Sequence, residues 1–193
     1  MSPYILLAKS AVENYVKEKK VIETPKDLPK EFLEKKSGTF ITIEKEGQLR
    51  GCIGTYLATK KNIAEEIISN AIAAATEDYR FGPIQKEELP ELSYTVYILN
   101  EPELVKSIQE LNPKKYGIIV KTRPIFSSKN LGGQAENDVV FNGHMVAKTG
   151  LLLPDLDGID TVEQQISIAC QKGEINLGIE KIIIYKFTVE KFK

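Results

Sequence analysis

The sequence is poor in the residues that most often carry chemistry. Its 193 residues include one histidine, two cysteines and no tryptophan. Tetrahedral zinc takes four ligands drawn mainly from cysteine and histidine, so this inventory leaves a zinc site unexpected. The cysteines, Cys52 and Cys170, form no C-x-x-C pair and allow at most one bridge, which suits reduced thiols. Long hydrophobic runs are missing as well. No stretch approaches the roughly 20 apolar residues of a membrane span, and "MSPYILLAKSAVENY" lacks a basic start followed by an apolar run and a cleavage site. The expectation is a cytoplasmic protein with no membrane partner. Charge of one sign is also lacking. With 26 Lys plus Arg against 27 Asp plus Glu, the simplest electrostatic argument for nucleic acid disappears. Lysine pairs such as Lys35-Lys36 and Lys60-Lys61 have acidic residues nearby and read as solvated faces.

What is present suits a globular chain. At 42% hydrophobic and 27% charged, the composition supports a real core, and a compact fold of this length buries roughly 70% of its unfolded surface. Ser2-Pro3 predicts a helix start, with Ile5, Ala8, Val12 and Tyr15 or Val16 as its apolar stripe and an end near Lys19. "TFITIEKEGQLRGCIGTY" predicts two strands around a Lys45-Glu46-Gly47-Gln48 turn. Asn62 and Glu65 form a capping box for an alanine-rich helix with Ile63, Ile67, Ala71 and Ala74 on one face. "LSYTVYIL" predicts a strand covered on both faces, "EPELVKSIQEL" a short helix, and "YGIIVK" a strand. From 122 to 149 the character changes to a loop-like stretch and an Asn142-Gly143 hairpin, an added arm. A helix capped by Thr161 and Gln164 and stopped near Gly173 follows, and "KIIIYKFTV" closes the chain as one strand. The predicted class is α+β with a largely antiparallel sheet.

The stretch "QLRGCIGTY", residues 48 to 56, concentrates unusual residues. In an extended strand, Arg50, Cys52 and Tyr56 share one face while Leu49, Ile53 and Thr55 share the other. A guanidinium about 7 Å from a sulfur, at an effective dielectric near 20, would favour its thiolate by roughly 2 kcal/mol. Gly51 and Gly54 admit either a ligand or a neighbouring backbone close to the thiol and leave their amides approachable as oxyanion donors. A second reading is that the glycines relieve crowding at a bulge while Cys52 packs as a small hydrophobe.

Competing motifs fail on context. A nucleophile elbow needs G-x-S-x-G at a strand-to-helix turn, and Gly-Cys-Ile-Gly has neither the spacing nor the following helix. The G-x-x-G match to a KH loop is weak because apolar Cys-Ile sits in a strand. No phosphate-binding loop appears, so no cofactor is assigned. "EDYRFGP" places Asp78, Arg80 and Phe81 just past the alanine-rich helix, where Asp78 and Arg80 read as a local ion pair holding the turn. His144 falls near the tip of the arm, too isolated to pair convincingly with Cys52. Cys170 falls with Ile166 and Ala169 on a helix face as core packing.

Taken in order, "LRGCIGT", "IAEEIISNAIAAATEDYRFGPI", "YGIIV" and "GLLLPDLDGIDTVEQQI" resemble the AMMECR-one family over nearly the whole chain. The resemblance implies a two-lobed α+β single domain over residues 1–193, with the "LRGCIG" segment lining a cleft. It carries over Arg50, Gly51, Cys52, Ile53 and Gly54 as the functional segment, with Asp78, Arg80 and Phe81 as ligand-binding neighbours. Cys52 is then nucleophile or ligand contact and Arg50 its thiolate-stabilising or anion-binding partner. Memo-like and radical-SAM proteins are the partners this implies, in the AmmeMemoRadiSam grouping. No particular reaction is implied. Family members usually pass almost directly from "YGIIV" to "GLLLPDL", so the arm at 122–149 is an addition that could serve oligomerisation. The alternative function is an RNA- or protein-binding regulatory module.

Overall fold

The computed structural model describes residues 2–122 and 147–193. Among these residues it is α+β with antiparallel pairing, as expected, and the strands form two four-stranded sheets. The sheets belong to two compact units, residues 1–101 with 189–193, and residues 102–188.

In the first unit, helix α1 (Pro3–Glu18) starts at Ser2 without a side-chain cap, so the fixed φ of Pro3 sets its first turn. Ile5, Ala8, Val12 and Val16 are buried along it, and the left-handed Lys19 ends it. The short α2 (Lys30–Glu34) inserts a fully buried Phe32, which stacks on Tyr4 at a centroid distance of 4.1 Å. Strands β1 (Thr39–Lys45) and β2 (Gln48–Gly54) form the expected hairpin. Its two turn residues, Glu46 and Gly47, both have positive φ, as the tight turn that matches strand twist requires. Helix α3 (Ile63–Thr76) begins where the Asn62 side chain accepts the Glu65 N–H, half of the expected capping box, while the Glu65 carboxylate accepts the Lys61 N–H instead of that of Asn62. A 3-10 helix (Lys86–Glu91) leads into β3 (Leu92–Leu99).

The second unit holds β4 (Glu103–Leu104), β5 (Gly117–Thr122), β6 (Thr149–Leu152), α4 (Val162–Lys172) and β7 (Ile182–Phe187). The sheet order is β4-β7-β5-β6, with Ile118, Val120, Leu152, Ala169 and Cys170 in one core. Thr161 and Gln164 cap α4 as expected, and Gly173 ends it. The first unit's sheet runs β2-β1-β3-β8, where β8 is Val189–Phe192.

Two expectations are corrected. Residues 101–111 are not a helix. Glu103 and Leu104 pair with Lys186 and Tyr185, and the Ser107–Glu110 capping box closes only the single 3-10 turn Ile108–Glu110. The closing segment is two strands. Phe187 pairs with Gly117 in one sheet, while Val189 pairs with Leu99 in the other, and Phe187-Thr188-Val189, all residues at home in a strand and with no glycine or proline among them, give no sign of a change of partner. The base of the arm is the β5–β6 pairing of Lys121 with Thr149. The Asn142-Gly143 hairpin and His144 lie outside the described residues.

Both units use glycine in the same way. A Cβ at Gly51 in β2 would collide with the Ala74 carbonyl of α3, and one at Gly150 in β6 would collide with the Ala169 carbonyl of α4. In each unit the last turn of a helix lies against an edge strand, at a distance only glycine permits. Gly51→Ala and Gly150→Ala are each expected to lower stability by about 1–3 kcal/mol, whereas Gly82→Ala, with open space around it, changes it by under about 0.5 kcal/mol. Urea unfolding midpoints of the three variants check this. Equal midpoints would show that the helices shift aside freely.

Candidate functional site

The site is built on the free edge of β2. Its pairing with β1 sets Thr42 opposite Cys52, Ile43 opposite Gly51 and Glu44 opposite Leu49, so Arg50 is the extra residue of a β-bulge. The bulge breaks the strict alternation expected of this strand. Leu49, expected on the same face as Ile53, is 42% exposed and opposite Glu44, while Ile53 packs against the core.

Arg50 therefore does not take the expected role beside the thiol. Its Nε and Nη2 donate to the two carboxylate oxygens of Glu88, both at 2.9 Å, and its Nη1 donates to the Gly82 carbonyl at 2.8 Å. This paired geometry uses the guanidinium as an anchor between β2 and the 3-10 helix. Glu88 also accepts the Gln85 N–H, and Lys45 lies 3.7 Å away. The Arg50 guanidinium is the main cause that holds the Glu88 carboxyl down at about 2.

The guanidinium that serves Cys52 is that of Arg80. The Asp78 and Arg80 side chains form the local ion pair predicted for the turn, with Nε to Oδ1 at 2.9 Å and Nη2 to Oδ2 at 2.6 Å. Asp78 in turn accepts the Cys52 N–H at 2.8 Å, and Arg80 Nη2 lies 3.5 Å from the Cys52 carbonyl oxygen. Both outward backbone groups of Cys52 are thus met by one ion pair. That arrangement identifies Cys52 and Thr42 as a non-hydrogen-bonded pair, in which side chains come closest. Cys52 Sγ accordingly lies 3.3 Å from Thr42 Oγ1. The thiol is half-buried, and its field adds to that of Asp78 in raising the Arg80 pKa. Asp78, 6% exposed, is held down at about 2, chiefly by Arg80 and also by the Cys52 amide, against the cost of burial. The Arg80 guanidinium also lies over the Phe81 ring, 5.4 Å from its centroid.

The glycines serve neighbouring backbone and side chains. Gly51 makes room for Ala74, and a Cβ at Gly54 would strike the Phe40 ring and the Thr39 carbonyl. Thr55 N–H donates to Thr39 O, which sets the ladder phase: Gly51 lies in a hydrogen-bonded position opposite Ile43, so its amide is engaged, while the Gly54 amide faces the strand edge. Sequence reasoning missed the polar network beside this strand. Glu66, fully buried, accepts hydrogen bonds from Thr55 Oγ1, Thr59 Oγ1 and the amides of Thr59 and Lys60. Asn70 Nδ2 donates to Thr39 and Thr55. The available signal was a Glu and an Asn among apolar positions of α3, at helical spacing that puts both on the packed face. A hollow of about 400 Å³ lies between α3 and the segment after α1, lined by Tyr15, Ile22, Ile68 and Ile72 among others, and includes no residue of "QLRGCIGTY". Cys170 is buried in the second unit's core, and burial pushes its thiol up. His144 lies outside the described residues.

The AMMECR1 family model matches residues 5–192. The chain belongs to the AMMECR1 family. It is 45% identical over 192 residues to a protein of Thermotoga maritima, covering 99% of this chain and 97% of that one. It is 39% identical to a Clostridium acetobutylicum protein over 99% of this chain, which spans 36% of that longer relative. The crystal structure of an uncharacterised protein from Pyrococcus horikoshii superimposes with a TM-score of 0.77 at 30% identity, covering 97% of this chain and 88% of that one. The AMMECR1 fold in this chain thus presents its "LRGCIG" strand with the Arg50 and Arg80 ion pairs on either side of the cysteine in sequence.

The two depressed carboxylates make an acid-stability prediction. Asp78 and Glu88 have ordinary values of 3.8 and 4.5 and fall to about 2 when folded, so their stabilisation is complete above about pH 5 and lost as pH drops through 4 toward 2. Glu88→Gln should cost on the order of 2 kcal/mol at pH 7 and flatten the acid limb. Urea midpoints from pH 7 to pH 2 test this, and an unchanged acid slope in the variant would count against it.

Proposed function

We propose that Cys52, Thr42 and Arg80 form a small-ligand site with cysteine chemistry, through which this AMMECR1-family chain acts as an accessory component beside Memo-like and radical-SAM partners. The observation that supports this is a half-buried thiol, 3.3 Å from the Thr42 hydroxyl, on a strand whose backbone is held by the Asp78–Arg80 pair. Arg80 commits Nε and Nη2 to Asp78 and Cys52, its Nη1 makes no hydrogen bond among the described residues, and its side chain is 44% exposed. That leaves a cationic donor for the anionic end of a ligand. Arg50 keeps a positioning role, tying the strand to Glu88.

Asp78 at about 2 is a poor base near neutrality, so the site favours direct attack by sulfur over proton abstraction by its carboxylate. The partners rest on the family resemblance.

Alkylation of native protein by iodoacetamide, read by peptide mass spectrometry, tests the site. Cys52 should be modified in the folded chain and Cys170, 2% exposed, only after unfolding. Arg80→Gln should slow the Cys52 reaction about threefold or more. Protection of Cys52 equal to that of Cys170 would end the proposal.

A further inference from the structure

We infer that the hollow along α3 is a binding site for a small primary amine with an apolar body, whose ammonium group sits at Glu77. The inference draws nothing from Cys52, because the hollow and the cysteine strand share no residue. Its volume of about 400 Å³ falls within the range of small-molecule sites. Glu65, Ile68, Ser69, Ile72, Ala73 and Glu77 recur at helical spacing and line it along one side of α3. Tyr15 near the end of α1 and Ile22 beyond it supply the facing wall. Ile68 and Ile72 are buried beneath it, while Val21 on its rim is 63% exposed. An apolar floor with an apolar rim open to solvent suits a ligand that carries hydrocarbon.

Charge decides which polar group the ligand carries and where it goes. Lys60 and Glu65 both stand at the N-terminal end of α3 and offset one another. Glu77, the C-cap, stands about 18 Å beyond Glu65 along the helix axis. That separation exceeds the Debye length of about 8 Å at physiological salt, so Lys60 does not neutralise Glu77. The last turn of α3 carries no basic residue, and the negative fields of Glu77 and the helix C-terminus add.

The lysines around the end of α1 are committed elsewhere: Lys17 pairs with Glu13, Lys20 with Glu18, and Lys19 lies over the Tyr15 ring. The Glu77 carboxylate makes no hydrogen bond or ion pair among the described residues. An ammonium placed there meets the carboxylate and the α3 C-terminus together, and an aliphatic or aromatic body then lies over Ile72 and Ile68. Glu77 is exposed, so this ion pair sets direction and selectivity, while burial of the body supplies most of the affinity.

The test titrates two probes of nearly equal shape, phenethylammonium and hydrocinnamate, into the full chain at low ionic strength and follows backbone amide shifts by NMR. The amine should give saturable shifts at Ile68, Ser69, Ile72 and Ala73 and bind about threefold or more tightly than the acid. Glu77→Gln, a change at an exposed and unpaired side chain, should bring the two affinities together. Ala73→Phe, which fills the hollow, should remove the binding of both. Equal affinities in the unaltered chain would overturn the ammonium assignment. Shifts that do not saturate, or that lie away from α3, would overturn the hollow as a site, and neither result depends on a variant that packs badly.

Discussion

Among the described residues strand β2 has a neighbour on one side only, and its other edge finds hydrogen-bond partners without a strand to supply them. The Asp78–Arg80 pair does this at Cys52, offering a carboxylate to the amide and a guanidinium to the carbonyl. The same pair blocks a foreign strand from docking there. Because both backbone groups of Cys52 face the edge, Thr42 and Cys52 are forced into the close cross-strand pairing that brings hydroxyl and sulfur to 3.3 Å. The position of the thiol therefore follows from a requirement of sheet hydrogen bonding.

The rest of the strand is fixed with comparable economy. Arg50 leaves the ladder at the bulge and ties the strand to Glu88 and Gly82. Beyond the strand's other end, Glu66 gathers the hydroxyls and amides of residues 55–60, and Asn70 ties Thr39 to Thr55. A fully buried carboxylate is tolerated here because four donors converge on it. Such a framework restricts the motion of Cys52, which is what a site of defined geometry requires.

The two units solve one packing problem in parallel. Each sets the end of a helix against a glycine of an edge strand, Gly51 beneath Ala74 and Gly150 beneath Ala169. The glycines of "LRGCIG" thus find their first explanation in helix-to-strand approach and in the Phe40 ring over Gly54, with ligand access a separate question.

Elements whose causes are local were legible in the residues alone: the Glu46-Gly47 hairpin, the caps of α3 and α4, the Asp78–Arg80 turn, the core role of Cys170 and the family. These depend on residues within a few positions of one another, or on an ordered set of motifs. Which arginine stands at Cys52 emerges only from the folded chain. Strand alternation pointed to Arg50, but the bulge that removes it, the Glu88 that receives it and the Arg80 that replaces it are set by contacts across 28 to 38 residues. The split of the closing strand between two sheets was equally out of reach, since the hydrogen-bond partners of an extended segment depend on which backbone lies beside it and leave no mark on the side chains.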